Sequence, residues 1–473
     1  MNPVSRPAQA GPAYHVGEQR RVVFATIIGT TVEWYDFFIY AFAANLVFAH
    51  LFFEPAGQGM QQILSLLTIG LSFLFRPVGA FLAGHFGDRI GRRPMLVITL
   101  VVMGAATTLV GCLPTFEQAG YFAPFALIAL RILQGVSAGG EWGGAVLMSV
   151  EHAPIGRRGL YGAFPQLGVP LGMLLASGVL ALMRAIAPGD AFDSWGWRIP
   201  FLLSALLIAV GYLVRRSVDE SPVFLEIREH AERESAPIAT VFRRFGMLVV
   251  LSVLLFAGNN AVGYMVTGGY IQGLASTPIN KGGYGFDPVG VQLAVVAAGV
   301  VWFLSTLASG YLADRIGRKR TFLLGWLVLA VTVVPLFSLV RSGLGPLLLG
   351  VCLVALGLGL TYGPQAVWYA ETFPASVRFS GVSISYALGA IVGGAFAPTV
   401  AQILVERFHT TTAIVPYLMV MVILGVLATF LLPERRDIPL GIEFEKSGGW
   451  DDWTGRKKSA GPARIDNDDA RAS

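Results

Sequence analysis

The sequence predicts an all-α membrane protein, with twelve transmembrane helices in two six-helix repeats and both termini cytoplasmic. Three observations carry that expectation. First, the 473 residues are 54% hydrophobic and only 13% charged, with mean hydropathy +0.64, whereas a soluble domain carries ~25% charged residues. Second, the apolar residues gather in runs close to the ~20 residues that cross a bilayer as a helix. Third, two loop motifs return at nearly one spacing in the two halves of the chain.

The twelve runs are, in order, 22–50, 63–85, 95–114, 122–150, 159–184, 197–215, 246–275, 289–312, 321–340, 346–370, 379–404 and 413–432. They divide the chain into a cytoplasmic N-terminus 1–20, a first half 21–215, a charged linker 216–244, a second half 245–432 and a tail 433–473. The N-terminus lacks the pattern of a cleaved signal, so the first helix is expected to stay in the membrane. The tail shows no heptads and many helix breakers, and is expected to be disordered.

Orientation follows from the basic residues. With the N-terminus inside, most of the 34 Lys and Arg lie on the inner side, among them Arg89, Arg92, Arg93, Arg157, Arg158, Arg215, Arg216, Arg315, Arg318, Lys319 and Arg320. Arg184, Arg198, Lys281, Arg341 and Arg407 fall outside. This placement accounts for a net charge of +5 without a nucleic-acid partner. The two cysteines, Cys112 and Cys352, lie in separate apolar runs and imply no disulfide framework. The six histidines show no metal spacing, and no reactive Ser/His/Asp set appears. Neither an enzyme nor a metal site is therefore expected, and the implied partners are the bilayer, a small solute and a proton as coupling ion.

The repeat rests on two motif pairs. GHFGDRIGRRP (84–94) follows run two and GYLADRIGRKR (310–320) follows run eight, 226 residues on from Gly84 to Gly310. EHAPIGRR (151–158) follows run four and ETFPASVR (371–378) follows run ten, 220 residues on from Glu151 to Glu371. Two six-helix halves of common design form the parallel-repeat arrangement of rocking transporters.

Charges inside the runs mark the candidate site. Glu33, Asp36 and Tyr40 share one face of helix one by their i, i+3, i+7 spacing, and Arg131, Gln134 and Glu141 share a face of helix four. Counting rise from the helix ends puts Asp36 level with Arg131, and Glu33 level with Glu141 and Arg76. Such groups do not face lipid; they line a cavity or pair with each other. Two readings stay open, ion pairs that fix helix packing and a proton switch in which an acid beside an arginine is protonated and released. The second half carries no ionised group within runs seven to eleven. It offers neutral groups instead: Asn259, Asn260, Tyr264 and Thr267 on run seven, and Tyr362, Gln365, Trp368 and Tyr369 on run ten. With Tyr40, Gln134 and Gln166 these are the candidate solute-binding residues. The run Gly135, Gly139, Gly140, Gly143, Gly144 has the small-xxx-small spacing of close helix packing.

The Gly-x-x-x-Asp-Arg-x-Gly-Arg-Arg loop resembles the signature of the major facilitator superfamily. VEWYDFFIY, RILQGVSAGGEWGGA, WGWRIPF, ESPVF and YGPQAVWYAETFPASVRFSG resemble its metabolite–proton symporter family, which includes shikimate, dicarboxylate, citrate and betaine carriers. The resemblance implies alternating access across the plasma membrane, or the inner membrane of a Gram-negative source, by a monomer. It implies uptake of a small organic acid, such as shikimate or a di- or tricarboxylate, with a proton. It also implies that Asp36 and Arg131 couple as the acid of helix one and arginine of helix four do in proton-linked sugar porters. The motif loops, through Gly84, Asp88, Arg89, Gly91, Arg92, Arg93, Glu151 and Arg158, and Gly310, Asp314, Arg315, Gly317, Arg318, Glu371 and Arg378, are implied to latch the cytoplasmic gate. The antiporter pattern of helix five is half present: Gly159, Gly168 and Gly172 fit, but Met173 replaces its proline, which favours uptake over export. Symport of a zwitterion such as betaine or proline, proton-coupled export, and solute sensing without flux remain as alternatives.

Overall fold

The computed structural model describes residues 16–57, 60–216, 219–229, 237–266, 270–279, 283–446 and 450. Among them, twelve helices are long and apolar enough to span a membrane. They are α1 (Gly17–Ala43), α2 (Ile63–Gly87), α3 (Arg92–Cys112), α4 (Phe122–Glu151), α5 (Arg158–Ile186) and α6 (Phe192–Arg216), then α7 (Ile238–Ser276), α8 (Pro288–Ile316), α9 (Arg318–Arg341), α10 (Leu344–Thr372), α11 (Ala375–Phe408) and α12 (Thr411–Leu431). In a bilayer a backbone has no water to bond, so apolar runs of this length close their hydrogen bonds as helices.

All twelve expected runs carry a helix, with ends displaced by a few residues. The largest displacement is at α7, which starts before the apolar run because Pro237 opens a turn that exposes Arg243 and Arg244. Non-helical dihedrals at Phe245 (φ −121°, ψ 15°) then bend the chain into the bundle. The expected linker thus contains a short helix, Pro222–Glu229, and ends earlier. The tail also differs from expectation. Through residue 446 it lies folded on the bundle, with Leu440 and Ile442 buried and a last helix at Ile442–Lys446. Alternating apolar residues and acids that meet helix termini explain why this stretch packs. Residues 1–15 and 451–473 lie outside the described residues, as does Thr267; Asp88 is described in backbone only.

The two halves repeat one packing plan. In the first, α1 meets α5 and α6, α2 meets α4, and α3 meets α4 and α6. In the second, α7 meets α11 and α12, α8 meets α10, and α9 meets α10 and α12. The halves then join through the matched pairs α2–α11 and α5–α8. Helix crossings are tight where glycine lets backbones touch. A Cβ at Gly139 of α4 would stand 2.1 Å from the Arg76 carbonyl oxygen of α2.

Gly139→Val is therefore expected to break the α2–α4 contact, since overpacking costs ~1–3 kcal/mol even where side chains can yield and here backbone must move. Thermal unfolding of the purified protein should report a large fall in midpoint; an unchanged midpoint would refute the contact.

Candidate functional site

Among the described residues, six acidic and basic side chains lie at membrane depth in the first half: Glu33, Asp36, Arg76, Arg131, Glu141 and Arg215, none more than 4% exposed. Asp36 and Arg131 make no direct ion pair. Asp36 instead accepts hydrogen bonds from Ser204 of α6 (2.6 Å) and Thr107 of α3 (2.9 Å). Gln134 joins the two charges: its Nε2 donates to the Thr107 hydroxyl (2.7 Å), and its Oε1 accepts from Arg131 Nη1 (3.1 Å). Arg131 also donates Nε to the Thr68 carbonyl (3.3 Å), and its guanidinium carbon stands 3.9 Å from the centre of the Tyr40 ring. The Tyr40 hydroxyl donates to Thr68 (2.8 Å). Tyr40 and Gln134, expected to contact a solute, are thus parts of the Arg131 network.

The expected set of Glu33, Glu141 and Arg76 is divided. Glu141 pairs with Arg215 through both guanidinium nitrogens and accepts from Thr99 (2.7 Å). The sequence places Arg215 at the inner end of run six, among the basic residues of the cytoplasmic side, and does not bring it to Glu141. Its helix face could have revealed it, since Ser204, Gly211 and Arg215 recur at helical spacing and all are buried, while Arg216 is exposed. Arg76 sits among rings, its guanidinium carbon 4.8 Å from the Phe73 centroid, 5.5 Å from Trp34 and 5.8 Å from Phe37. Both carboxylate oxygens of Glu33 are buried without a hydrogen-bond partner.

Between the halves lies a small cavity. Trp34, Phe37 and Phe38 of α1 form one wall; Phe256, Asn259, Asn260 and Tyr264 of α7, with Trp302, Tyr362 and Tyr386, form the other. A π-turn at Ile391–Ala395 places Gly394 against Asn260 and Tyr264, so α7 and α11 close up behind the polar groups. Asn259 donates to Thr361 (2.6 Å), and Asn260 to the Ala390 carbonyl (3.4 Å). The Tyr264 hydroxyl has no hydrogen-bond partner. The floor is Trp142 stacked on Tyr386, ring centres 3.8 Å apart, with Tyr369 edge-on to Trp142. Gln166 lies here, accepting from Trp142 Nε1 (2.5 Å) and donating to the Tyr362 carbonyl (2.9 Å), so it ties the halves. Gln365 is buried with its Nε2 unpartnered. Trp368 faces away, donating to the Pro433 carbonyl (2.9 Å) with its ring on Phe322, and does not line the cavity. Of the aromatic walls the sequence singled out Tyr264 and Tyr362 but not Trp34, Phe37, Phe38, Phe256, Trp302 or Tyr386, because aromatic residues are common in any apolar run.

The face carrying the two Asp-Arg loops is bound shut. Asp314 accepts from the backbone N–H groups of Gly159 (2.7 Å) and Leu160 (2.8 Å), at the start of α5 in the other half. A carboxylate there meets unpaired donors and the positive end of the helix. Glu151 receives Arg378 from across the interface at 3.1 Å and lies 3.7 Å from Arg92. The matching residues of the second half are Glu371 and Arg318, 2.9 Å apart. Gly91 (φ 114°) and Gly317 (φ 102°) turn the chain into α3 and α9. Gly84 and Gly310 are contact points, facing Ser380 and Ala163 across the interface. Arg89 is exposed, Arg93 donates to the Arg216 carbonyl (2.6 Å), and Arg315 covers the Tyr311 ring. Two acids escaped the sequence reading. Glu220 caps the N-terminus of α3 through the Arg92 N–H (3.1 Å), and Glu434 caps α9 through that of Arg318 (2.6 Å). Arg158 donates to the Ile438 carbonyl (2.5 Å), and Arg378 to that of Leu440 (3.0 Å), so the folded tail touches both halves.

Two pseudo-equivalent halves around a shared cavity, with charge buried at mid-depth, among the described residues, in the first half alone, define a membrane transporter. The model of the sugar (and other) transporter family matches residues 22–241 and again 226–443; the chain belongs to that family, within the major facilitator superfamily. It is 36% identical over 428 residues to the inner membrane metabolite transport protein YhjE of Escherichia coli, covering 89% of this chain and 96% of that one. It is 34% identical over 394 residues to the shikimate transporter of Escherichia coli, covering 82% and 88%. Its fold is similar to that of the proton:xylose symporter XylE bound to 6-bromo-6-deoxy-D-glucose, with a TM-score of 0.75 at 19% identity over 93% of this chain and 100% of that one.

Asp314→Asn should weaken the clasp on α5, since hydrogen bonds to a charged group contribute ~1.5–3 kcal/mol. In a protein with Cys112 and Cys352 replaced, a cysteine at Ala163, buried beside Gly310, should then react with maleimide several-fold faster. Unchanged labelling would show that the clasp does not hold this face closed.

Proposed function

We propose that the protein takes up a small organic acid together with a proton by alternating access. The observation that carries this reading is the separation of labour between the halves: buried acids and arginines in the first, behind a wall of rings, and neutral hydrogen-bonding groups with rings in the second. The acids supply a proton site inside the membrane, and an arginine supplies a counter-ion for an anionic solute. The proton-coupling set is Asp36 with Arg131, then Glu33, Glu141 and Arg76; Asn259, Asn260, Tyr264 and Gln365 meet the solute. The bias of basic residues makes the Asp-Arg face cytoplasmic, so this conformation is closed to the cytoplasm. Release of solute then requires the Asp314–α5 and Glu151–Arg378 contacts to part as the halves rock. The Asp36–Thr107–Gln134–Arg131 chain gives protonation a route to that motion, because it ties α1 to α3, α4 and α6. The shikimate carrier among the relatives supports an organic acid. A monomer in the plasma membrane, needing no cofactor, suffices for this cycle.

The test is purified protein in liposomes loaded with a pH-sensitive dye, challenged with shikimate, succinate, citrate, proline and betaine. Acidification of the lumen by one acid supports the reading; acidification by betaine or proline alone would replace it with zwitterion symport. Asp36→Asn should abolish accumulation driven by a pH gradient while leaving downhill exchange, and full accumulation would remove Asp36 from the coupling set. Arg131→Lys should fail as well, because lysine lacks the planar fork that reaches Thr68 and Gln134 together. Wild-type accumulation in that variant would reduce Arg131 to a point charge.

A further inference from the structure

Glu33 and Arg76 each lack what the other could supply. Both are 2% exposed, yet they form no ion pair. Both oxygens of Glu33 and the Nε of Arg76 are buried without hydrogen-bond partners. A buried charge left in this condition is costly. Arg76 is held by the rings of Phe73, Trp34 and Phe37 rather than by an anion. Trp34 and Phe37 are also cavity wall, so the guanidinium stands at the edge of the space a solute would fill.

Charge balance narrows what that solute is. The buried set holds three carboxylates, Glu33, Asp36 and Glu141, and three guanidiniums, Arg76, Arg131 and Arg215. Without Arg215 the set would carry one net negative charge; with it, the set is neutral when fully ionised. A monocarboxylate adds one negative charge and one proton removes it. A dicarboxylate with one proton leaves a charge buried, and a zwitterion calls for no proton. The walls are flat rings with Asn259, Asn260 and the free Tyr264 hydroxyl among them, which suits a ring bearing hydroxyls.

We propose that Glu33 and the carboxylate of a ring-bearing monocarboxylic acid compete for Arg76, so that the acid binds only with a proton on Glu33. This rests on the uptake reading above and assigns its first step. The proton comes from bulk water onto a Glu33 carboxylate oxygen as the anion enters, and returns to water when the anion leaves. The charged groups that act on Glu33 are Arg76 of α2, most strongly, then Glu141 of α4, Arg215 of α6 and Asp36 of its own helix. Tyr362 and Tyr386 face it from the second half. Asp36, held by two hydroxyls away from the cavity, receives the same proton only as the halves move.

Binding is read by tryptophan fluorescence on the full chain in nanodiscs, with shikimate, benzoate, succinate and glycine betaine as probes from pH 5 to pH 9. Wild type should bind shikimate or benzoate with an affinity that falls about tenfold per pH unit on the alkaline side. Glu33→Gln should bind equally at every pH, and Arg76→Gln should bind at least about tenfold more weakly, each with a normal melting curve. In liposomes, uptake should not respond to a valinomycin-imposed potential. A retained pH slope in Glu33→Gln, full affinity in Arg76→Gln, no saturable binding of either ring acid, or preference for succinate or betaine would overturn the proposal. If the binding pattern holds but a pH gradient drives no accumulation, the uptake reading fails and the Glu33–Arg76 competition stands.

Discussion

A charge at membrane depth has to be answered by another charge or by a hydrogen bond, because leaving it alone costs several kcal/mol. The whole molecule is arranged around that constraint. Charges occur in two layers. One, at mid-depth, is confined to the first half and reaches from Asp36 through Thr107 and Gln134 to Arg131, with Glu141 on Arg215 beside it. The other lies at the Asp-Arg face, where Glu151, Arg378, Arg318 and Glu371 cross and line the seam. Between the layers the cavity is lined by rings and neutral amides. The exception is Glu33, whose carboxylate oxygens have no hydrogen-bond partner among the described residues.

The second layer depends on helix ends as much as on ion pairs. Asp314, Glu220 and Glu434 all bond to backbone N–H groups at the starts of helices. An α-helix leaves its first donors unpaired, so a carboxylate carried by a neighbouring segment is an effective clasp. It is also reversible, because water can take over the same donors once the halves part. The second Asp-Arg loop thus joins two tasks in one short stretch: Gly317, with positive φ, turns the chain, and Asp314 holds the start of α5. The folded tail adds backbone carbonyls to the seam, accepting from Arg158 on one side and Arg378 on the other.

The two halves share a packing plan but have diverged in chemistry. Glycine contacts keep α2 on α4 and α8 on α10 in the same way, with Gly359 against Ser305 matching Gly139 against Arg76. On this common frame the first half holds ionisable groups and the second holds Asn259, Asn260 and Tyr264. In the proposed cycle, a rocking motion between the halves would preserve each set while changing which side of the cavity is open.

The number of helices, the repeat and the depth of the acids were legible in the sequence, because each follows from local quantities: run length, motif spacing and rise per residue. Those quantities place Glu33, Asp36 and Arg131 inside the membrane. They do not say which neighbour each one meets. Ser204 and Thr107 on Asp36, Arg215 on Glu141 and the rings around Arg76 come from helices far apart in the chain, brought together by the rotation of each helix about its axis. The tail showed the same limit, since its short alternation of apolar and acidic residues gains order only against a bundle that supplies arginines and helix ends. Hydropathy is a property of one segment and fixes what must be buried; pairing depends on several segments at once, and only the tertiary structure decided it.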